Sequence, residues 1–362
     1  MDEFYELLGE DFRFVATLPR DEKELKGGTD YSTRPYCILA GESDKACKKS
    51  LQLAREAETC VFGACSQMYA VERAKNNQKG LSFEVGERWL KRGWLNVFSP
   101  NLIKWYINYI WYYRKNNFYK LCMSAFAAQD DEKLFAYRAR HYKWGYFTRV
   151  EEKNVETSVS DVSTKGNVHI LWCARFLSWK HPELVIRLAA RLKKDGYYVA
   201  IDMYGEGVEL EKAQKLCDNL NVADIVTFKG NVPNAEIIQA MRQHDIFLFT
   251  SDRHEGWGAV LNEAMSNCCT VVASDTIGSA PFLIKDGVNG LLFKSEQIDS
   301  LYEKVVYLLK HPDLRQQMAG QGYEDMLHLW NPRHAAESLV RLIDDIQAGR
   351  ETSIPEGPCS KA

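Results

Sequence analysis

The sequence predicts an α/β protein built on a doubly wound, largely parallel sheet, and three observations carry that prediction. Residues 168–293 alternate short apolar runs with amphipathic helical stretches, the pattern of repeated strand–helix units. Ile246–Phe249 is apolar throughout, as a buried strand should be. It leads through a glycine-bearing turn, His254-Glu-Gly-Trp-Gly-Ala259, into a helical stretch. In such sheets ligands bind beyond the carboxyl ends of the strands, where that turn lies.

The segment Asp245–Thr270 organises the rest. Glu255 sits in the turn and Glu263 follows eight residues later. If most of that interval is helical, about 12 Å of rise separates the two acids. That is the span from the transferred sugar to the ribose of an extended nucleotide sugar. Gly256 and Gly258 allow close approach of a ligand to the backbone. The amides of Gly258, Ala259 and Val260 are expected to be the unpaired donors of a helix N-terminus, suited to phosphate. The plainer alternative is a helix with an acid in its first turn.

The other elements of this half follow in order. Val168–Cys173 is an apolar strand, and Arg175 and Lys180 lie just beyond it. Two cations there would offset the charge of a diphosphate as it leaves; the alternative is an ordinary surface pair. Pro182 is well placed at a helix start, with Leu184, Leu188 and Leu192 at helical spacing. Tyr198–Met203 is a strand, and the turn Tyr204-Gly205-Glu206-Gly207 opens another helix. That turn lacks the third glycine of a dinucleotide fingerprint, which disfavours a dehydrogenase. Ile225–Phe228 leads to Gly230–Pro233, where the Asn231–Val232 main chain could read a base. Asn234 is expected to cap a helix through Gln243. No cluster of acids or histidines suggests a metal site, and no cofactor is expected.

The N-terminal half alternates in the same way, with strands at Phe12–Ala16, Thr59–Gly63, Leu81–Glu84 and Tyr119–Met123 and helices at Lys45–Glu58 and Gln67–Asn76. It opens on a helix (Met1–Gly9), whereas a parallel α/β domain ordinarily opens on a strand; a first strand and loop of about 20 residues are expected to be absent. From Arg88 to Gln129 there is no acidic residue, while seven basic residues alternate with aromatics such as Trp94, Phe98, Trp105 and Trp111. An aromatic core helix with a basic rim is the first reading. Peripheral membrane contact through residues 88–120 stays open beside it.

These spans define a domain of residues 1–150, a polar linker 151–166 and a second domain 167–331. A terminal helix at 332–348, which could pack back on the first domain, precedes a flexible tail at 349–362. The chain has 362 residues, with 46 Lys and Arg against 49 Asp and Glu. That near balance excludes a nucleic-acid-like charge. Its ten cysteines form no CxxC pair, which suits reduced thiols rather than zinc or a disulfide framework. With no signal peptide and no apolar run that crosses a bilayer, a cytoplasmic protein is expected, with the inner face of the membrane as its alternative place of work.

Arg175-x4-Lys180, Tyr204-Gly-Glu-Gly207, Gly230-Asn-Val232, Asp245–Ser251 and Glu255-x7-Glu263 together resemble the retaining family-four glycosyltransferases, glycosyl transferases group 1, of polysaccharide-assembly type. The resemblance covers about half the chain. It implies the GT-B fold: two Rossmann-like domains facing across a cleft, here with the N-terminal one truncated. It further implies metal-independent transfer of a hexose from a nucleotide-diphosphate sugar, with UDP favoured, to a saccharide or lipid-linked acceptor in polysaccharide or glycolipid assembly. On that analogy Glu255 contacts the donor sugar, Glu263 the ribose hydroxyls, and Arg175 and Lys180 the diphosphate. Gly205, Gly256, Trp257, Gly258, Ala259 and Val260 would line the sugar and phosphates, and Asn231 and Val232 the base. The alternative is a nucleotide-sugar-binding protein without turnover.

Overall fold

The computed structural model describes residues 1–17, 31–63, 66–152 and 167–362. The expected linker 151–166 and the polar loop 20–34 fall mostly outside them. The chain divides into two compact units, Met1–Gly145 with Pro332–Ala362, and Tyr146–Asn331.

The first unit contains β1 (Phe14–Ala16), β2 (Cys37–Leu39), β3 (Thr59–Phe62), β4 (Leu81–Gly86), β5 (Phe118–Cys122) and β6 (His141–Lys143). Its helices are α1 (Asp2–Leu8), α2 (Asp44–Glu56), α3 (Gln67–Asn76), α4 (Pro100–Asn108) and α5 (Ala127–Lys133). β1 and β2 form a parallel pair of their own; β3 to β6 form a parallel sheet in chain order, so that sheet has no reversal point. Successive residues of β4 and β5 serve opposite faces. Phe83 and Leu121 join one cluster and Phe118 the other, as the period of two requires.

The alternation in residues 100–113 serves two surfaces at once. Leu102, Trp105, Tyr109 and Tyr113 are buried at helical spacing, while Ile103, Ile107 and Trp111 form an exposed stripe. Trp94, Leu95 and Phe98, in the preceding 3-10 turn, are also exposed. The aromatic core reading therefore describes one face of this segment and leaves the other uncovered within its own unit.

The expected flexible tail is a packed element instead. Ile354 and Cys359 enter the same cluster as Phe83 and Leu121. The Cys359 amide donates to Lys143 O at 2.7 Å and the Lys143 amide to Ser360 O at 2.8 Å, so the tail adds an antiparallel bridge to β6. Asp345 anchors its entry by accepting from the Ser353 amide and hydroxyl and from Arg350, contacts that hold its carboxyl down at about 2. A segment without apolar periodicity orders here through main-chain pairing and two buried side chains.

The second unit contains β7 (Val168–Cys173), α6 (Pro182–Lys194), β8 (Val199–Tyr204), α7 (Leu210–Asn219), β9 (Val226–Gly230), α8 (Asn234–Gln243), β10 (Ile246–Phe249) and α9 (Val260–Ser266). It continues with β11 (Thr270–Ser274), α10 (Ala280–Leu283), β12 (Leu291–Phe293), α11 (Ile298–Lys310) and α12 (Pro312–His328); α13 (Pro332–Gln347) belongs to the first unit. The strand order is β12-β11-β10-β7-β8-β9, all parallel, so the winding reverses between β10 and β7. Ile170 and Trp172 face one core and Leu171 the other, which explains the consecutive apolar residues of the central strands. Loops leaving β7 and β10 diverge above that reversal, and the crevice between them is the ligand position of this class of sheet.

Candidate active site

The two loops at the reversal are tied together. Trp172 Nε1 donates to Thr250 Oγ1 at 2.9 Å, and that hydroxyl donates to Lys180 O at 2.6 Å. The Asp252 amide donates to Trp179 O at 3.0 Å, and Asp252 in turn accepts from the His254 amide at 2.8 Å. These bonds fix the backbone that carries the two central side chains, Lys180 and Glu255, which form an ion pair. Both are mostly buried, their side chains 11% and 12% exposed. Burial pulls the Lys180 ammonium below the usual lysine range; Glu255 works against that shift and Arg175 adds to it. Seventy-five residues of sequence separate the pair, and only the adjacency of β7 and β10 brings it together.

The interval between the two acids is less helical than the sequence suggests. α9 begins at Val260, and residues 255–259 are turn. The Leu261 amide bonds Gly258 O at 3.0 Å and the Glu263 amide bonds Ala259 O at 3.1 Å. The amides of Gly258, Ala259 and Val260 therefore precede the first intrahelical bonds. Gly258 sits at φ +86°, and a Cβ there would lie 2.5 Å from the Phe249 ring and 3.2 Å from Glu255 Cγ. Alanine at Gly258 is expected to cost about 2–4 kcal/mol, left-handed strain plus overpacking, as a lower urea midpoint.

Glu263 stands on α9 with its carboxyl partly buried, 3.5 Å from Asn234 Nδ2. Burial raises its pKa above the carboxylate range, with Asn234 opposing. Asn234 is the first residue of α8 rather than its cap, which frees the side chain for that contact. Cys173, the last residue of β7, senses both functional groups: burial and Glu263 push its thiol up to about 12 while Lys180 works against them.

Arg175 is exposed and lies two residues past the end of β7. Gly205 holds its loop: at φ +124°, a Cβ would lie 2.0 Å from Ala174 O, so no other residue brings these backbones together. The Gly205 amide also donates to Gly230 O at 2.7 Å, linking this turn to the Asn231–Val232 loop beyond β9. The helix after that turn starts at Leu210, later than the turn itself. The Trp257 indole is buried and donates to Asn262 Oδ1 at 2.8 Å, so only its main chain, and that of Gly256, is left for a ligand.

Asp252 and His181 also belong to this loop cluster, and sequence reasoning missed both. His181 adopts φ +51° before α6 and contacts Glu183 Oε1 at 2.8 Å and Asp252 Oδ2 at 3.4 Å. Hydrogen bonding to Glu183 raises its pKa despite burial, and its other nitrogen faces Asp252. His181, Asp252 and Glu296 also have ligand atoms within 4.8 Å of one another. Both imidazole nitrogens are already engaged, by Glu183 and Asp252, which fits a brace between loops better than a metal centre. Asp252, three residues before Glu255, was legible only as an acid near the organising turn.

The loops at the reversal thus carry Arg175 and Lys180 on one side and Glu255 on the other, with Glu263 on the helix that follows. Residues 156–325 match the glycosyl transferases group 1 family. The chain is 24% identical over 173 residues to poly(glycerol-phosphate) alpha-glucosyltransferase of Bacillus subtilis, covering 48% of this chain and 25% of that protein. It is 26% identical over 193 residues to the GDP-mannose-dependent alpha-(1-6)-phosphatidylinositol monomannoside mannosyltransferase of Mycolicibacterium smegmatis, covering 51% of this chain and 50% of that protein. The chain thus spans between a quarter and a half of these relatives. Among solved structures, Anabaena HepE in complex with UDP superposes with a TM-score of 0.63 at 16% identity, covering 86% of this chain and 85% of that one. Sucrose-phosphate synthase of Thermosynechococcus elongatus gives 0.64 at 15% identity, covering 96% and 92%. The fold is that of the GT-B glycosyltransferases.

Proposed function

We propose that this chain, similar over residues 156–325 to glycosyl transferases group 1, transfers a hexose from a nucleotide-diphosphate sugar with retention of anomeric configuration. The observation that carries the reading is the Lys180–Glu255 pair at the β7/β10 reversal, beside the amides that open α9. Arg175 and Lys180 hold the diphosphate, with Gly205 shaping the Arg175 loop. The main-chain amides of Gly256, Trp257, Gly258, Ala259 and Val260 line the sugar and phosphates. Glu255 meets the sugar, Glu263 the ribose hydroxyls, and the main chain of Asn231 and Val232 the base. UDP is the favoured nucleotide; the similar Anabaena structure contains it.

In this reading the bond from the anomeric carbon to the diphosphate breaks while a bond to the acceptor oxygen forms on the same face. The acceptor proton passes to the leaving diphosphate. Arg175 and Lys180 stabilise the charge that grows there, so no metal is needed. Such stabilisation requires Lys180 protonated and Glu263 ionised. Burial lowers the first pKa and raises the second, so affinity for the donor is expected to follow a narrowed bell. Its acid limb lies above 4.5, where Glu263 takes up a proton, and its alkaline limb below 10.5, where Lys180 loses one. A pH series of UDP affinity checks both limbs; limbs at the ordinary values of the free side chains would remove these two groups from the site.

The acceptor is a saccharide or a lipid-linked saccharide, and the setting is polysaccharide or glycolipid assembly at the cytoplasmic face of a membrane. Three observations support the membrane part. Residues 88–129 carry no acid, Trp94, Leu95, Phe98 and Trp111 are exposed, and among the described residues no helix is long and apolar enough to cross a bilayer. Contact would then be peripheral. The test of transfer is turnover of a panel of UDP-, GDP- and ADP-sugars, with the anomeric configuration of the product read by NMR. A retained product supports the proposal, and an inverted one removes the retaining mechanism. Binding of a nucleotide sugar with no turnover toward water or any saccharide would favour a binding protein.

A further inference from the structure

The first unit holds a cavity of about 470 Å³ at the end of its sheet opposite the carboxyl ends of the strands. It opens beside Phe118, where β5 begins, and Arg140, which immediately precedes β6. Two irregular segments shape it. Past α4 the helix widens over Tyr109–Tyr113, and the Arg114 amide bonds five residues back to Tyr109 O at 2.9 Å. Wide turns of this kind are rare and recur at functional positions. Opposite lies the segment 135–139, in which Phe135, Tyr137 and Ala139 all adopt left-handed backbone, at φ +57°, +46° and +60°. Non-glycine residues seldom adopt this backbone and do so at a cost, so three in five residues mark a segment shaped for something besides folding.

The lining is both aromatic and cationic. Tyr106, Tyr109, Tyr113 and Tyr137 form the walls, and Arg114, Arg138 and Arg140 contribute three guanidinium groups. Among the described residues no carboxylate lines the cavity and neither Arg114 nor Arg138 forms an ion pair; Arg138 lies over the Phe135 ring, 5.0 Å from its centroid. Arg140 is the anchored one, donating to Asn116 O at 3.0 Å. Tyr113 is 2% exposed, and its hydroxyl has no partner among the described residues. A buried phenol without an acceptor is costly, and a ligand oxygen would satisfy it. At the rim Phe135 is exposed, and Ile107 and Trp111 continue the exposed stripe of the same helical segment.

We propose that this cavity binds a phosphate-bearing amphiphile, the headgroup of an anionic membrane lipid. Its phosphate sits between Arg114 and Arg138, its glycerol and first methylenes lie along the tyrosines, and its chains leave past Phe135 and Trp111. Guanidinium groups match phosphate oxygens in geometry and charge, and the exposed stripe places the cavity mouth at the level of a lipid interface. The inference rests on the proposed membrane contact of residues 88–120 and is independent of the donor site in the other unit.

The test uses the full chain with two probes. Sedimentation with vesicles of phosphatidylcholine, alone or with one third phosphatidylglycerol, measures membrane contact. Thermal shift with dihexanoylphosphatidylglycerol below its micelle concentration, against inorganic phosphate, measures the cavity. The expected result is binding to the anionic vesicles and a shift with the short-chain lipid that inorganic phosphate does not reproduce. Arg114→Gln with Arg138→Gln should weaken both by roughly fivefold per arginine. Both side chains are exposed, so the fold should persist. Tyr113→Phe should weaken the short-chain lipid and leave vesicle charge selectivity in place. Anionic vesicle binding that ignores the arginines overturns the cavity while sparing the membrane contact. No preference for anionic vesicles, or an equal shift with inorganic phosphate, overturns the lipid ligand.

Discussion

Glutamine at Glu255 is expected to cut donor turnover about 10²- to 10³-fold, the range for removing one preorganised electrostatic group. The amide keeps the volume and an acceptor for Lys180 but removes the charge that faces it. Alanine is a poorer choice. From sequence Glu255 reads as a loop acid whose loss costs little stability, but the structure pairs it with a mostly buried lysine. Leaving that ammonium without a partner would destabilise the loop, though the lowered Lys180 pKa offers partial relief by deprotonation. The stability side of the experiment has a definite sign. A lysine whose pKa is depressed by folding contributes more stability as pH rises toward 10.5, and Glu255→Gln should steepen that rise. Turnover that survives in the glutamine variant would remove Glu255 from the chemistry.

The second large effect lies in the first unit. Glu84, on β4, accepts from Trp105 Nε1 at 2.8 Å, Lys120 Nζ at 3.1 Å and the Tyr137 hydroxyl at 2.5 Å. Lys120 is fully buried on β5 and also senses Asp131, itself 3.5 Å from His141 Nε2. Burial disfavours the Lys120 charge, but Glu84 and Asp131 outweigh it and leave the pKa raised. Glu84→Ala strips the central acceptor from three donors and leaves a buried cation without its nearest counter-charge. The expected cost is about 3–5 kcal/mol, seen as a large fall in the denaturation midpoint. Lys120→Met should be milder, because Trp105 and Tyr137 still satisfy Glu84. Equal costs for the two variants would mean that packing, rather than charge, holds this cluster.

Local signals made the second unit legible. Its central strand β10 is apolar throughout, and Pro182 stands at the start of α6 where its fixed backbone favours a helix. Sequence proximity alone also brought Gly258, Glu255 and Glu263 together. The joining of Lys180 to Glu255 was not legible, because it depends on strand order across the winding reversal. Nor were the role of Asp252, the start of α9 at Val260, or the freeing of Asn234 toward Glu263. Each of these depends on how loops from different strands meet. In the first unit β2 has only three residues and no alternation to reveal it. The tail carries no periodic signal because it is held by main-chain pairing to β6 and by Cys359 and Ile354. The exposed stripe of residues 103–111 was hidden for the opposite reason: a sequence apolar on two faces does not say which one stays uncovered.

The most direct test of the central claim is calorimetric titration of UDP and a UDP-sugar into the wild-type chain and into Arg175→Ala. Arg175 is exposed, so its loss should spare the fold, and the charged contact proposed for it with a diphosphate would be worth about tenfold or more in affinity. The account predicts wild-type binding that weakens by at least that factor in the variant. Wild-type binding unaffected by Arg175→Ala, or no binding of any nucleoside diphosphate, would contradict a donor site at the β7/β10 reversal.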